Sequence, residues 1–409
     1  MWLILIKLAW KNIFRNKRRT IIASTAIGIG LAALIFVDGL WVGMERNLVQ
    51  TATDSFLGDG QIHQQGFRDT RAVEMTVNEL NEVVAALSEN GLVEHFTPRV
   101  FALGMITAPA NVSAVSMVGV QPETERFLSQ IDDTIVQGTY FESDNERAIV
   151  VGTKLAENLE VELGARVVVT VTQAGGGDLS QEMFRISGIY RFADEAMNAT
   201  MAFVQLNKAQ QMLAIGSDVH EIAIKFTDTA YGRDKALPFW KEFSQNGNEA
   251  VSWTEILPQL EAVFEMSKFS KFVMGIVLFG VVVFGIINTL FMSLYERMFE
   301  FGVLRAVGTR PFGMARLILF EAGALAILSI GLGIVLGFGV TFLFTKVGID
   351  YTDFEMMGVT MQELIYPVMQ VKPFILNSVW VFVFTIITGL YPARYAAKMS
   401  PATAMRRSF

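Results

Sequence analysis

Three histidines, His63, His95 and His220, are the side chains of this chain best suited to proton transfer or metal ligation. They stand far apart in the sequence, and none has a ligand-type partner at motif spacing. They read as solvated or structural residues. No serine in the polar middle of the chain sits in a Gly-x-Ser-x-Gly setting, and the plentiful carboxylates read as a solvated acidic surface. Gly175-Gly176-Gly177-Asp178 lacks the Lys-Ser or Lys-Thr that a phosphate loop requires, so it reads as a hairpin tip. No other nucleotide-binding signature is present, and the absence of cysteine excludes disulfides and thiolate metal sites. The sequence therefore predicts no catalytic residues, no metal site and no cofactor held by this chain.

The informative pattern is Glu296-Arg297-Met298-Phe299-Glu300-Phe301-Gly302-Val303-Leu304-Arg305-Ala306-Val307-Gly308. Its charges interrupt Phe299, Phe301, Val303, Leu304 and Val307 at helical spacing, and Gly308 and Pro311 end the run. An apolar stripe flanked by both signs of charge suits docking to a soluble partner, the stripe filling a groove and the charges fixing register. It equally suits a helix lying on a bilayer.

Four long apolar segments surround this element. They run from about Ile21 to Val37, Phe272 to Leu294, Leu317 to Thr345 and Phe374 to Tyr391. Lys7, Lys11, Arg15, Lys17, Arg18 and Arg19 precede the first, Arg297, Arg305, Arg310 and Arg316 follow the second, and Arg394, Lys398, Arg406 and Arg407 follow the fourth. By the positive-inside rule both termini and the element around Glu300 are cytoplasmic. The first segment is long, with an extended basic lead-in and no convincing small-residue cleavage site, so it reads as a retained signal anchor.

The predicted fold is an α-helical membrane protein with four spans and a mixed α+β extracytoplasmic domain between the first two. The partition is an interfacial helix over 1–20, spans over 21–45, 269–295, 315–346 and 373–393, and the outer domain over 46–268. A coupling loop covers 296–314, an outer loop 347–372 and a cytoplasmic tail 394–409. The mean hydropathy of +0.41 and the 52% of hydrophobic residues suit such a mixture. Between Asn47 and Ser267 acidic residues outnumber basic ones by roughly two to one, which makes nucleic acid an unsuitable partner. Within the outer domain, strands are predicted over 115–120, 148–151, 166–172, 184–190 and 221–226, and helices over 76–88, 153–159, 207–214 and 234–244. Residues 175–180 and 194–200 read as surface loops. Gly28, Gly30, Gly331, Gly333, Gly337 and Gly339 read as close helix contacts, and Asp38 and Glu321 as solvated or paired charges near the ends of spans.

Several segments together resemble the FtsX-like/MacB-like ABC transporter permease family. They are Ala9-Trp10-Lys11-Asn12-Ile13-Phe14-Arg15-Asn16-Lys17-Arg18-Arg19-Thr20, the run from Glu296 to Gly308, Glu321-Ala322, Tyr391-Pro392-Ala393-Arg394-Tyr395-Ala396-Ala397 and Pro401-Ala402. In the outer domain, Gly60-Gln61-Ile62-His63, Thr97-Pro98-Arg99-Val100, Val118-Gly119-Val120-Gln121-Pro122 and Val150-Val151-Gly152-Thr153-Lys154-Leu155-Ala156 are similar to the lipoprotein-releasing branch.

The resemblance implies a permease subunit in a bacterial inner membrane, paired with a second permease chain as a homodimer or heterodimer and served by two copies of a separate ABC ATPase. That ATPase would bind the ATP and Mg. Glu296, Arg297, Glu300, Gly302, Leu304, Arg305 and Gly308 would then lie at its interface. The cargo would be lipidated or amphiphilic and would leave the outer leaflet for a periplasmic lipoprotein carrier or adaptor, membrane lipid being the third partner. Phe36, Leu40, Trp41, Met44, Phe264, Met266, Phe269, Phe272 and Met274 would form its walls, because Met and Phe give an adaptable apolar surface. Export of a drug, peptide or glycolipid, and transmembrane signalling to a cell-wall hydrolase, are the alternatives the family allows.

Overall fold

A computed structural model describes residues 2–15, 17–141, 145–350, 355–356, 359–360 and 364–398. Asn16, Pro401, Ala402, Arg406 and Arg407, which carry part of the motif and charge argument, lie outside them. The chain divides into a helical unit, residues 1–46, 264–350 and 364–409, and an α/β unit, residues 47–263 and 351–363.

In the helical unit, an amphipathic helix Trp2–Arg15 precedes the first long helix, Lys17–Ala52. The helices Pro258–Glu296, Pro311–Val347 and Val371–Lys398 follow, with the short connecting helix Met298–Ala306 between the first two of these. All four long helices are long and apolar enough to cross a membrane.

Gly28, Gly333 and Gly337 sit where helices touch. A Cβ on Gly333 would stand 3.0 Å from the Gly28 carbonyl oxygen, and one on Gly337 would stand 3.1 Å from the Ile35 side chain. A Cβ on Gly30 would meet Val282. Gly331 and Gly339, expected at contacts, have nothing within 4 Å among the described residues. The reason is angular: Gly333 and Gly337 are one turn apart on a single face, whereas Gly331 is two residues from Gly333 and points about 200° away.

The α/β unit holds one ten-stranded sheet. Its strands are β1 (Gly60–Gln64), β2 (Val93–Thr107), β3 (Val112–Val120), β4 (Ile135–Gly138), β5 (Ala148–Gly152), β6 (Arg166–Thr172), β7 (Leu179–Tyr190), β8 (Met201–Gln205), β9 (Glu221–Phe226) and β10 (Asn248–Ser252). The pairings β2–β3, β3–β8, β8–β5, β5–β7, β7–β6 and β6–β2 form a closed circuit of six strands. The 15-residue β2 belongs to two partners on one edge. Val93 to Arg99 pair with β9, and Gly104 to Thr107 pair with β6. At the changeover only glycine fits, since a Cβ on Gly104 would stand 2.2 Å from the Thr170 carbonyl oxygen.

Alternation along the strands fills two cores. Val100, Met117, Ile149 and Val151 enter the larger one, while Phe101, Val118, Val150 and Phe203 enter a second, aromatic one. Each fully buried side chain of this size contributes about 1.5–3 kcal/mol. The continuous apolar run Ala148–Gly152 is thus covered on both faces, which is why it does not alternate in polarity.

The expected surface loop 194–200 is instead a helix, Glu195–Thr200. Asp194 Oδ1 caps it by accepting from the Ala196 amide at 2.8 Å, and the buried Asn198 side chain bonds both the amide and the carbonyl of Phe192. Helix 76–88 starts later than expected, at Leu80, and helix 234–244 is shortened to Pro238–Phe243.

Candidate functional site

The pattern around Glu300 folds into a helix with two faces. Met298, Phe301 and Gly302 are buried, Phe301 in a cluster with Leu294, Met314, Ile318, Ala393 and Ala396. Phe299, Val303 and Leu304 are exposed, and Val307 keeps 83% of its surface. The helix closes with a Schellman motif: the Thr309 amide donates to the Leu304 carbonyl at 3.0 Å and the Gly308 amide to the Arg305 carbonyl at 3.1 Å. Gly308 permits this with φ of +100°. Arg305 Nη1 donates to the Thr309 carbonyl at 3.2 Å, so both residues hold the end of the helix.

A chain of alternating charges ties this helix to its neighbours. Arg297 Nη1 donates to Glu321 Oε2 of the helix Pro311–Val347 at 2.5 Å, and Arg297 Nε donates to Glu300 Oε2 at 3.0 Å. Glu300 Oε1 receives Arg15 of the amphipathic helix, and Asn12 Nδ2 donates to Glu321 Oε1 at 2.6 Å. The Arg15 hydrogen bond, with Arg297 beside it, holds the Glu300 carboxyl below the usual carboxylate range. Burial works against the Arg297 charge, but the Glu321 and Glu300 carboxylates outweigh it and raise that pKa. The group lines a polar cavity of about 340 Å³. Glu296, exposed at the end of its helix, lines the same cavity. Sequence reading picked out Arg297 and Glu300 but not the part of Asn12, Arg15 and Glu321. The signal available was that Asn12 and Arg15 fall one turn apart on one face of an amphipathic helix.

The expected cargo-wall residues differ in exposure. Met266, Phe269, Phe272 and Met274 are exposed on the helix Pro258–Glu296, and Leu40, Trp41 and Met44 are half-buried. Phe264 is buried, and Phe36 packs its ring on Phe344 at 5.3 Å. Asp38 is paired, with Lys271 Nζ at 2.7 Å and Asn377 Nδ2 at 3.0 Å, so it joins three of the long helices. The Val368 amide donates to the Gly39 carbonyl at 2.9 Å, and Gly43 sits against Tyr366 where a Cβ would clash.

In the α/β unit not every carboxylate is solvated. Arg99, fully buried on β2, donates to Glu125 through Nε at 3.0 Å and Nη2 at 2.5 Å, and to Glu221 Oε1 at 3.2 Å. Its guanidinium lies 3.8 Å from the centroid of Phe56, in the π-helical turn Thr53–Leu57 that follows the first long helix. Burial pushes the Glu221 carboxyl up, against the pull of Arg99 and Arg71.

The histidines are structural. His220 Nδ1 accepts from the Phe101 amide at 2.9 Å while Nε2 faces the Val73 carbonyl at 2.9 Å, which fixes a neutral tautomer. His63 is buried with its pKa lowered to about 4, and His95 stacks on Phe127 at 4.8 Å. Among the described residues no group of three or more His, Asp or Glu is placed to hold a metal ion.

Four membrane-length helices, an α/β unit between the first two in the chain and an ion-tied connecting helix define a membrane protein with a large domain outside the spans. The family model described as MacB-like periplasmic core domain matches residues 20–231, and that described as FtsX-like permease C-terminal matches residues 272–401. The chain belongs to this family of FtsX-like, MacB-like ABC transporter permeases, inner-membrane proteins with a periplasmic domain.

Among its relatives is the lipoprotein-releasing system transmembrane protein LolE of Haemophilus influenzae, 21% identical over 395 residues and covering 93% of each chain. The lipoprotein-releasing system transmembrane protein LolC of Neisseria meningitidis is 21% identical over 407 residues, covering 95% of this chain and 94% of its own. The crystal structure of the periplasmic region of MacB from Actinobacillus actinomycetemcomitans covers 52% of this chain and 95% of that one, with 13% identity and a TM-score of 0.35.

Proposed function

We propose that this chain is the permease subunit of an ABC transporter that frees a lipoprotein from the outer leaflet of the inner membrane. ATP and Mg are bound by two copies of a separate ATPase subunit, which docks on the exposed stripe Phe299, Val303, Leu304 and Val307 with both chain termini on the same cytoplasmic side. The observation that carries this reading is the connecting helix itself. It is held from beneath by Arg297 and Glu321, yet presents apolar side chains outward at its free face.

Movement of a docked ATPase would pass through the Arg297–Glu321 pair into the third membrane helix and through Glu300–Arg15 into the amphipathic helix. A second permease chain, identical or paralogous, completes the membrane assembly, and a periplasmic carrier receives the cargo. Chemistry on the cargo is not needed. Extracting an acyl chain costs about 0.8 kcal/mol per methylene, so a multiply acylated anchor requires coupled ATP hydrolysis and a receiver.

Export of another amphiphile through a periplasmic adaptor is the second reading, favoured by the match of the outer domain to a MacB-like model. Depleting the chain in its host and quantifying lipoproteins in separated inner and outer membranes tests the choice. Accumulation in the inner membrane supports release, and an unchanged distribution rejects it in favour of export.

A further inference from the structure

The α/β unit contains a cavity of about 730 Å³, within the range of roughly 300–1,000 Å³ usual for small-molecule sites. Its walls are largely apolar, with Phe56, Phe101, Leu103, Met201, Leu260 and Val263 among them. Four charged side chains also line it: Arg68, Arg71, Asp194 and Glu221. Three of the four are committed to the fold. Arg68 donates to the carbonyls of Glu255 at 3.4 Å and Ile256 at 3.2 Å, Asp194 caps a helix, and Glu221 receives the buried Arg99.

Arg71 differs. Its guanidinium is exposed, lies 5.4 Å from the centroid of Phe101 and 5.7 Å from that of Phe67, and has no acceptor among the described residues. Contact with the two rings uses none of the guanidinium's hydrogen-bond donors, which leaves its N–H groups available to an anion. The backbone at Arg71 is left-handed, φ +52°, a position where glycine or asparagine is the usual occupant.

An apolar cavity with one cation beside it whose N–H groups have no acceptor among the described residues, although its charge also acts on Glu221, suits an elongated apolar ligand with an acidic end. The chain leaves water for the apolar walls, and the planar guanidinium takes a carboxylate or phosphate through paired hydrogen bonds. We propose that this cavity binds an anionic acyl amphiphile, its chain lying among the apolar walls and its carboxylate or phosphate on Arg71. Phe56 follows directly on the first membrane helix, and Leu260 and Val263 belong to the helix that continues as the second. An occupant therefore touches the extensions of both. Its role in transport rests on the permease reading, while the binding itself is measured without ATP.

The test uses the full chain in phosphatidylcholine nanodiscs, irradiated with palmitate carrying a mid-chain diazirine, with adducts mapped by mass spectrometry. Adducts are expected on peptides holding Phe56, Phe101 to Leu103 and Leu260 to Val263. They should fall about tenfold in Arg71→Glu, as expected for loss of a charge-assisted pair, and return in Arg71→Lys. Adducts confined to the remainder of the membrane helices would overturn the proposal, as would outer adducts indifferent to Arg71→Glu.

Two arms separate the sources of the anion. Suppression when phosphatidylglycerol replaces phosphatidylcholine assigns it to a lipid phosphate. Persistence there, with competition by unlabelled palmitate, assigns it to a free carboxylate. Copurification of the ATPase, scored on the same preparations, reports on the permease reading separately.

Discussion

Arg297 and Glu321, 24 positions apart, meet at 2.5 Å between Nη1 and Oε2 and join the start of the connecting helix to the body of the third membrane helix. Both side chains are largely buried, whereas Arg15 and Glu300 at the other end of the charge chain are exposed. The two pairs should therefore differ in worth. Glu321→Ala is expected to destabilise the full chain by about 1.5–3 kcal/mol, the range for hydrogen bonds to charged groups. Arg15→Ala should lose no more than about 1 kcal/mol, and Arg15→Lys should restore part of it. Thermal unfolding in nanodiscs measures both, and equal losses would refute the ranking.

Val307 stands outside the packed face of the connecting helix, whereas Gly302 is inside it. Val307→Asp and Leu304→Asp are expected to abolish copurification with the ATPase while membrane insertion and unfolding temperature stay unchanged. Arg305→Glu is a poorer probe, since it removes the hydrogen bond that closes the helix end. Retained complex in the Val307 variant would remove this stripe as the docking surface.

The membrane glycines divide by environment. Gly333→Ala forces a Cβ to within 2.9 Å of the Leu31 side chain and 3.0 Å of a backbone oxygen, and overpacking of this kind destabilises by about 1–3 kcal/mol. Gly339→Ala meets nothing within 4 Å and gains up to about 1 kcal/mol of helix propensity. Opposite shifts in unfolding temperature are the expected result.

Asp59 and His63 tilt stability in opposite directions. Burial raises the Asp59 carboxyl from 3.8 to about 6, although its Oδ2 accepts the Phe226 amide at 3.0 Å. Between about pH 4 and 6 the folded state holds the extra proton, so this contribution falls as pH rises through that window. Burial lowers His63 to about 4, so between about pH 4 and 6.5 the unfolded state holds the extra proton and stability rises with pH. Each is worth up to about 3 kcal/mol at full extent. Asp59→Asn should leave the His63 trend alone, giving a steeper rise with pH in the opening free energy of the Phe226 amide by hydrogen exchange. A slope unchanged from the parent would contradict the Asp59 assignment.

The orientation of the chain can be read chemically because it has no cysteine of its own. A cysteine at Gly176 should react with an impermeant thiol reagent in spheroplasts, and one at Thr309 should not. The reverse pattern would invert the proposed topology.

Much of this architecture was legible because membrane spans and short buried strands write themselves locally. Arg166–Thr172 and Glu221–Phe226 were predicted to the residue, and the amphipathic pattern around Glu300 became a helix. β1 and β10 were missed because Gly60–Gln64 and Asn248–Ser252 carry polar residues, such as Gln61, His63 and Asn248, that are buried only by their sheet neighbours. Glu125 and Glu221 could not be told from solvated acids, since burial there depends on Arg99 arriving 26 and 122 positions away. For the same reason Glu321 could be read only as a solvated or paired charge, its partner Asn12 lying 309 residues away.

The dual membership of β2 bears on how the periplasmic domain carries load. Under the proposed function, a pull arriving at Phe56 would reach Arg99, which sits in the part of β2 that pairs with both β3 and β9. From there it travels along one covalent backbone into the closed circuit, without crossing a single interstrand hydrogen bond. A ring of strands has no end from which to unzip, so failure requires many ladder bonds to shear together. Under the proposed function, such a ring would serve as a solid handle.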